Sequence, residues 1–216
     1  MPEETKMHPM FEMATVLSQD YLRCCQELLK EGVDIQFWRR ATIRSFFAYV
    51  EGACSVFRHL ATGTICLGKS KGVPLTALAL LQDEQFSVER NGKCRPEKTK
   101  ISTLNYIAFT IRVVSELSDA GDSYVTKVFS EDGWRKLQDV CKVRDRLMHP
   151  KSLEHLTVTD DEYDLLNEAG SWFAIKVAVM MRFLPKEGDL RFTIEEDELG
   201  LHCIPVEASP ADDTEQ

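Results

Sequence analysis

The stretch VRDRLMHP, Val143 to Pro150, gathers an arginine, an aspartate and a histidine next to a proline. These residue types suit phosphate chemistry. A histidine moves a proton near neutral pH, and a guanidinium holds charged phosphoryl oxygens. Trp134, Leu137, Cys141, Arg144 and Met148 are spaced 3, 4, 3 and 4 apart, which is one stripe of a helix. Arg144 lies on that apolar stripe, where a solvent-facing charge is out of place. Arg146, two positions on and about 200° around the helix, is expected to point to water. Pro150 disfavours helical backbone at the residue before it, so the helix is expected to stop at about Met148. His149 then sits at the carbonyl end of the helix dipole, a setting that favours imidazolium. Arg144 and His149 are thereby candidates to converge on one anion. The competing reading is structural. Arg144 would form a salt bridge, with Glu51 as partner, tying two helices together, and His149 would bond a free carbonyl at the helix end.

The elements that must position these residues are helical. Residues 11–31 read as a first helix, with Val16, Leu17, Tyr21, Cys24 and Leu28 at helical intervals and Gly32 as its stop. A long second helix spans about 36–62. Phe47, Val50, Cys54, Phe57 and Ala61 form one face of it, and Arg44, Glu51 and Arg58 a polar stripe seven apart. Residues 74–82 fit a short helix with Pro74 in its first turn. Further helices are expected at 101–117, 131–148 and 160–184, the last with Leu166, Phe173, Val177, Met180 and Leu184 as its stripe. Phe86 and Val88 alternate with polar residues before Asn91-Gly92, a two-residue turn signal, so a small hairpin is expected near residue 90. Leu190–Ile194 and Leu199–Cys203 also alternate and can pair as a weak hairpin. The expected fold is all-α: a four- to five-helix bundle over residues 1–185, followed by an acidic C-terminal extension, 186–216, partly disordered.

Composition limits the functional classes. At 216 residues, 44% of them hydrophobic, the chain is long enough to bury a core. Its first residues, MPEETKMHPM, do not read as a secretory signal, and no apolar run reaches membrane-spanning length. Seven scattered cysteines without CxxC pairing read as reduced thiols of a cytoplasmic protein rather than zinc ligands. No metal and no cofactor is implied. The net charge of −9 is concentrated: residues 186–216 hold ten Asp/Glu against two Lys/Arg, so the rest of the chain carries only −1. A polyanionic partner therefore remains compatible with an acidic total. Arg90, Lys93, Arg95, Lys98 and Lys100, with Glu97 among them, form a basic stretch suited to RNA backbone or to plain solvation. The aromatics Phe37, Trp38, Phe46, Phe47 and Phe57 are expected to be core or dimer contacts rather than base-stacking platforms.

The motif RDRLMH, Arg144 to His149, late in a helical bundle, resembles the Arg-(Asp/Asn/His)-x-x-x-His signature of the HEPN superfamily. The following helix, DEYDLLNEAGSWFAIKVAVMMRFL, is similar to the last helix of that fold. ATIRSFFAYVEGA, residues 41–53, resembles its long helix carrying an acidic residue, here Glu51. The resemblance covers roughly residues 11–185, and only the six-residue motif is specific. It implies a metal-independent endoribonuclease, dimerising so that two Arg/His pairs face one cleft. His149 would be general base or acid, Arg144 would stabilise the transition state, and Asp145 would orient one of them or cap locally. Such a protein would be a toxin or phage-defence effector, with an antitoxin protein as partner. The alternative within the same resemblance is a non-catalytic helical dimer that binds a nucleotide or a partner.

Overall fold

A computed structural model describes residues 9–66, 77, 80–81, 84–90, 92–98, 101–117, 121–183, 192–197 and 200–205. It is a helical bundle carrying two small antiparallel hairpins. The helices are α1 (Pro9–Glu27), α2 (Ile35–Cys66), α3 (Thr103–Leu117), α4 (Gly121–Ser130), α5 (Asp132–Met148) and α6 (Asp160–Phe183). The strands are β1 (Glu84–Val88), β2 (Cys94–Lys98), β3 (Phe192–Asp197) and β4 (Gly200–Pro205).

The core follows from the helical periodicity of α2. Ile43, Phe46, Phe47, Val50, Cys54 and Phe57 are all essentially buried. They meet Ile107 and Ile111 from α3, Leu137 and Leu147 from α5, and Leu166, Phe173 and Met180 from α6. Asp34 caps α2 by accepting the Phe37 N–H at 3.0 Å. Thr159 and Glu162 cap α6 reciprocally: the Glu162 N–H donates to Thr159 Oγ1 at 3.2 Å, and the Thr159 N–H donates to Glu162 Oε2 at 3.1 Å. The α5–α6 seam is close-packed. A Cβ on Gly133 would lie 2.1 Å from the Trp172 ring, so only glycine fits there. Trp172 Nε1 donates to Glu131 Oε2 at 2.5 Å, and Lys176 pairs with the same oxygen at 2.5 Å. The Trp134 and Trp172 rings stand 6.2 Å apart across the seam.

Several expectations are corrected. α1 stops at Glu27 rather than reaching residue 31, and the chain turns through Gly32 at φ +72°. None of α1 is buried, and Val16 faces solvent rather than the bundle. Phe46, Phe47 and Phe57 are core, whereas Phe37 is 51% exposed. α4 was not expected: GDSYVTKVFS is short and rich in β-branched residues, which are poor helix formers alone. It forms because Val125 and Val128 are buried. The hairpin near residue 90 exists, with Glu84 opposite Lys98 and Val88 opposite Cys94. Its turn is wider than a two-residue one. The Glu89 N–H donates to Lys93 O, and Gly92 takes φ +80°, which is a three-residue loop closed on a left-handed glycine. β3 and β4 pair from Phe192–Pro205 to Asp197–Gly200. Of the short helix at 74–82, only Ala77, Leu80 and Leu81 are described, each helical, and residues 206–216 lie outside the described residues.

Candidate functional site

α5 ends where the proline rule places its end. Met148 is its last helical residue, and His149 has φ −129° and ψ 58°. The His149 N–H still donates to Asp145 O at 3.1 Å, closing the last turn. Its imidazole is exposed and, among the described residues, makes no hydrogen bond or ion pair. Beside it, Met148 is 49% and Leu153 85% exposed.

Arg144 sits at the edge of the α5 stripe rather than at its centre. The buried line is Trp134, Leu137, Val140, Cys141, Val143 and Leu147, and Met148 falls outside it. Arg144 is 25% exposed. Its Nη2 donates to Glu51 Oε1 at 3.0 Å, and its Nη1 to Thr103 Oγ1 and Asp145 Oδ1, both at 3.3 Å. Thr103 Oγ1 in turn donates to Glu51 Oε1 at 3.4 Å. The guanidinium lies over the Phe47 ring, 5.4 Å from its centroid. Three helices therefore fix one arginine. Thr103 was missed in the sequence, because a threonine in a helix's first turn carries no signal of its contact with residue 144. Burial pushes the Cys141 thiol up to about 11; Asp145 adds to this and Arg144 opposes it. Cys141 therefore stays a protonated packing residue.

Arg146 does not point to water. Its Nη2 meets both carboxylate oxygens of Glu162 at 2.9 and 2.8 Å, tying α5 to the cap of α6. The two arginines are thus alike in being paired across helices. The difference lies in exposure of the partner: Glu51 is 45% exposed and Glu162 25%.

The connector after His149 is pinned to the start of α2. Gln36 Nε2 donates to Val158 O at 3.0 Å, and the Val158 N–H donates to Gln36 Oε1 at 2.9 Å. Arg39 donates to Val158 O and Arg40 to Leu156 O, each at 3.0 Å. Arg39 also pairs with Asp160. Residue 144 meets residue 51 and residues 156–158 meet 36–40, so His149 lies in the chain between two tethers to α2.

Among the described residues, two open clefts along α2 have arginines in their walls. One, of about 480 Å³, is lined by Leu17, Glu51, Ser55, Arg58, Thr103 and Tyr106 among others. The second, of about 440 Å³, is lined by Leu17, Asp20, Arg23, Trp38, Arg44 and Ala48 among others. The buried Arg58 guanidinium stacks on the Tyr106 ring at 3.9 Å. On the β1–β2 hairpin Arg90, Lys93 and Arg95 are exposed, and the Lys98 side chain lies outside the described residues. Among the described residues no three His, Cys, Asp or Glu converge as a metal-holding group, and no helix is long and apolar enough to cross a membrane. Comparison with family models, with curated proteins and with solved structures finds no match.

Proposed function

We propose that the protein is a metal-independent endoribonuclease of HEPN type, acting at a cleft between two copies of the chain. The observation that carries this reading is the end of α5. An arginine is held there by Glu51 and Thr103, and an exposed imidazole, unpaired among the described residues, stands five residues on, outside the helix. In the proposed reaction His149 of one protomer takes the proton of a ribose 2′-hydroxyl, which attacks the adjacent phosphorus. The 5′-oxygen leaves with a proton supplied by the second protomer's histidine, and a 2′,3′-cyclic phosphate remains. Arg144 stabilises the charge on the phosphoryl oxygens, and Asp145 orients Arg144. The apolar Met148 and Leu153 beside His149 supply surface for the second copy. A toxin or phage-defence role, with an antitoxin protein as partner, belongs to the same proposal.

The test is incubation of the full chain with RNA in EDTA, followed by analysis of the product ends. Wild type is expected to leave cyclic phosphates, and His149→Ala to leave the RNA intact without a change in melting temperature. Cleavage by His149→Ala at the wild-type rate overturns the assignment. Met148→Asp/Leu153→Asp is expected to turn a dimer into a monomer by sedimentation and to abolish cleavage.

A second reading is favoured by the Arg144–Glu51 pair. It makes Arg144 a strut in a non-catalytic helical module that dimerises or binds a nucleotide or a partner protein. That reading expects no cleavage, and a lower melting temperature for Arg144→Ala.

A further inference from the structure

The two clefts along α2 share Leu17 and Ala48 in their walls, so they adjoin and together form a stretch of open surface, here the α2 groove. Its ends are marked by Trp38 and by the Arg58–Tyr106 stack. Between residues 38 and 58 a helix advances about 30 Å. Arg144 is bonded to Glu51 and Thr103, which line the cleft at the Arg58 end.

The charge of this groove departs from that of the chain as a whole. Arg23 and Arg44 line it and are exposed, and among the described residues neither has a hydrogen bond or ion pair. Arg58 adds a third cation at the far end. Of its acidic wall residues, Glu51 is already paired with Arg144, and Asp20 is left to oppose them. An excess of guanidinium in a protein of net charge −9 is a local arrangement. Ser55 and Thr103 add hydroxyls to the wall. Trp38 is half-buried on it, so that residue is neither wholly core nor a bare surface side chain. Spaced guanidinium groups beside an aromatic ring match a single-stranded nucleic acid, whose phosphates take the arginines and whose bases stack on the ring.

We infer that this α2 groove, rather than the β1–β2 hairpin, is the track for a single strand of RNA, with Arg23 and Arg44 as its phosphate contacts and Trp38 as a stacking surface. The inference rests on the ribonuclease reading for the choice of RNA, and binding can be measured apart from cleavage.

The test uses the full chain with His149→Ala, so that the strand stays intact, and a fluorescent single-stranded RNA read by anisotropy across a salt series. Arg23→Glu/Arg44→Glu is expected to weaken binding about tenfold or more and to flatten the salt dependence. Lys93→Glu/Arg95→Glu is expected to change affinity less. Both arginines are exposed and, among the described residues, unpaired, so circular dichroism should report an unchanged fold. Equal binding by the Arg23→Glu/Arg44→Glu form and its parent overturns the inference, as does a complete lack of RNA binding. Displacement of the RNA by polyglutamate as readily as by unlabelled RNA also overturns it, in favour of an acidic protein as the occupant. Tight, Arg44-dependent binding without cleavage by wild type would sink the nuclease reading and leave this inference standing.

Discussion

Arg144 spends its two terminal nitrogens on different partners, Nη2 on Glu51 and Nη1 on Thr103 and Asp145. A lysine has no such fork. Arg144→Lys is therefore expected to keep the charge yet lose the orientation. Cleavage should fall by about a hundredfold, the scale of one lost transition-state donor. Stability should fall by no more than about 1 kcal/mol, because the pair is half in water. Rates in EDTA and denaturant midpoints check the two halves. At this scale the sequence was only partly legible. The Arg144–Glu51 contact was open to view as a structural possibility, since Arg144 breaks the apolar stripe of its helix and Glu51 stands on the polar stripe of α2. The Arg146–Glu162 contact was not, because a helix's own periodicity says which way a side chain leaves and nothing about what the next helix presents. Phase was the second error: Met148 continued a 3, 4 spacing but falls outside the buried line through Val143 and Leu147.

Among the elements, the connector from Pro150 to Thr159 has the greatest leverage on His149. Gln36 bonds both the N–H and the carbonyl of Val158, whose side chain is fully buried. Gln36→Ala leaves the Val158 N–H without its partner, while Arg39 still donates to the carbonyl, a loss of about 1–3 kcal/mol. It should lower the urea midpoint by that amount. If the connector sets the place of His149, cleavage by the folded fraction should fall as well. The end of α5 was readable from Pro150, whereas Gly32 marks the turn after α1 but not its end, which comes earlier at Glu27. α4 was invisible, because what makes it helical is burial of Val125 and Val128 against other segments. The width of the β1–β2 turn was likewise decided by the register of its strands, which Asn91-Gly92 alone does not fix.

The whole molecule should be stable in a pH window with two unlike edges. On the acid side stands Glu131. Burial disfavours its carboxylate, but Lys176 and Trp172 outweigh burial and hold its pKa below the ordinary 4.5. The unfolded chain therefore takes up the proton first as pH falls. The contribution is complete above about pH 5 and is lost as pH drops through the folded value. On the alkaline side, burial raises Cys54 from 9.0 to about 12, Cys141 from 9.0 to about 11 and Tyr163 from 10.0 to about 12. There the unfolded chain gives up protons first, so stability present below pH 9 is lost as pH climbs through these values. Denaturant midpoints should hold level from about pH 6 to 8 and fall on both sides. A midpoint still rising at pH 10 would contradict the burial of these groups.

Trp172 meets glycine backbone on one side and the Trp134 indole 6.2 Å away on the other. Two chromophores so close and so tilted couple optically. The chain thus carries a built-in gauge for one joint: loosening α6 from α5 would erase the near-ultraviolet dichroism of the indole pair while helical absorption persists, so partial opening beside the motif can be watched without any label.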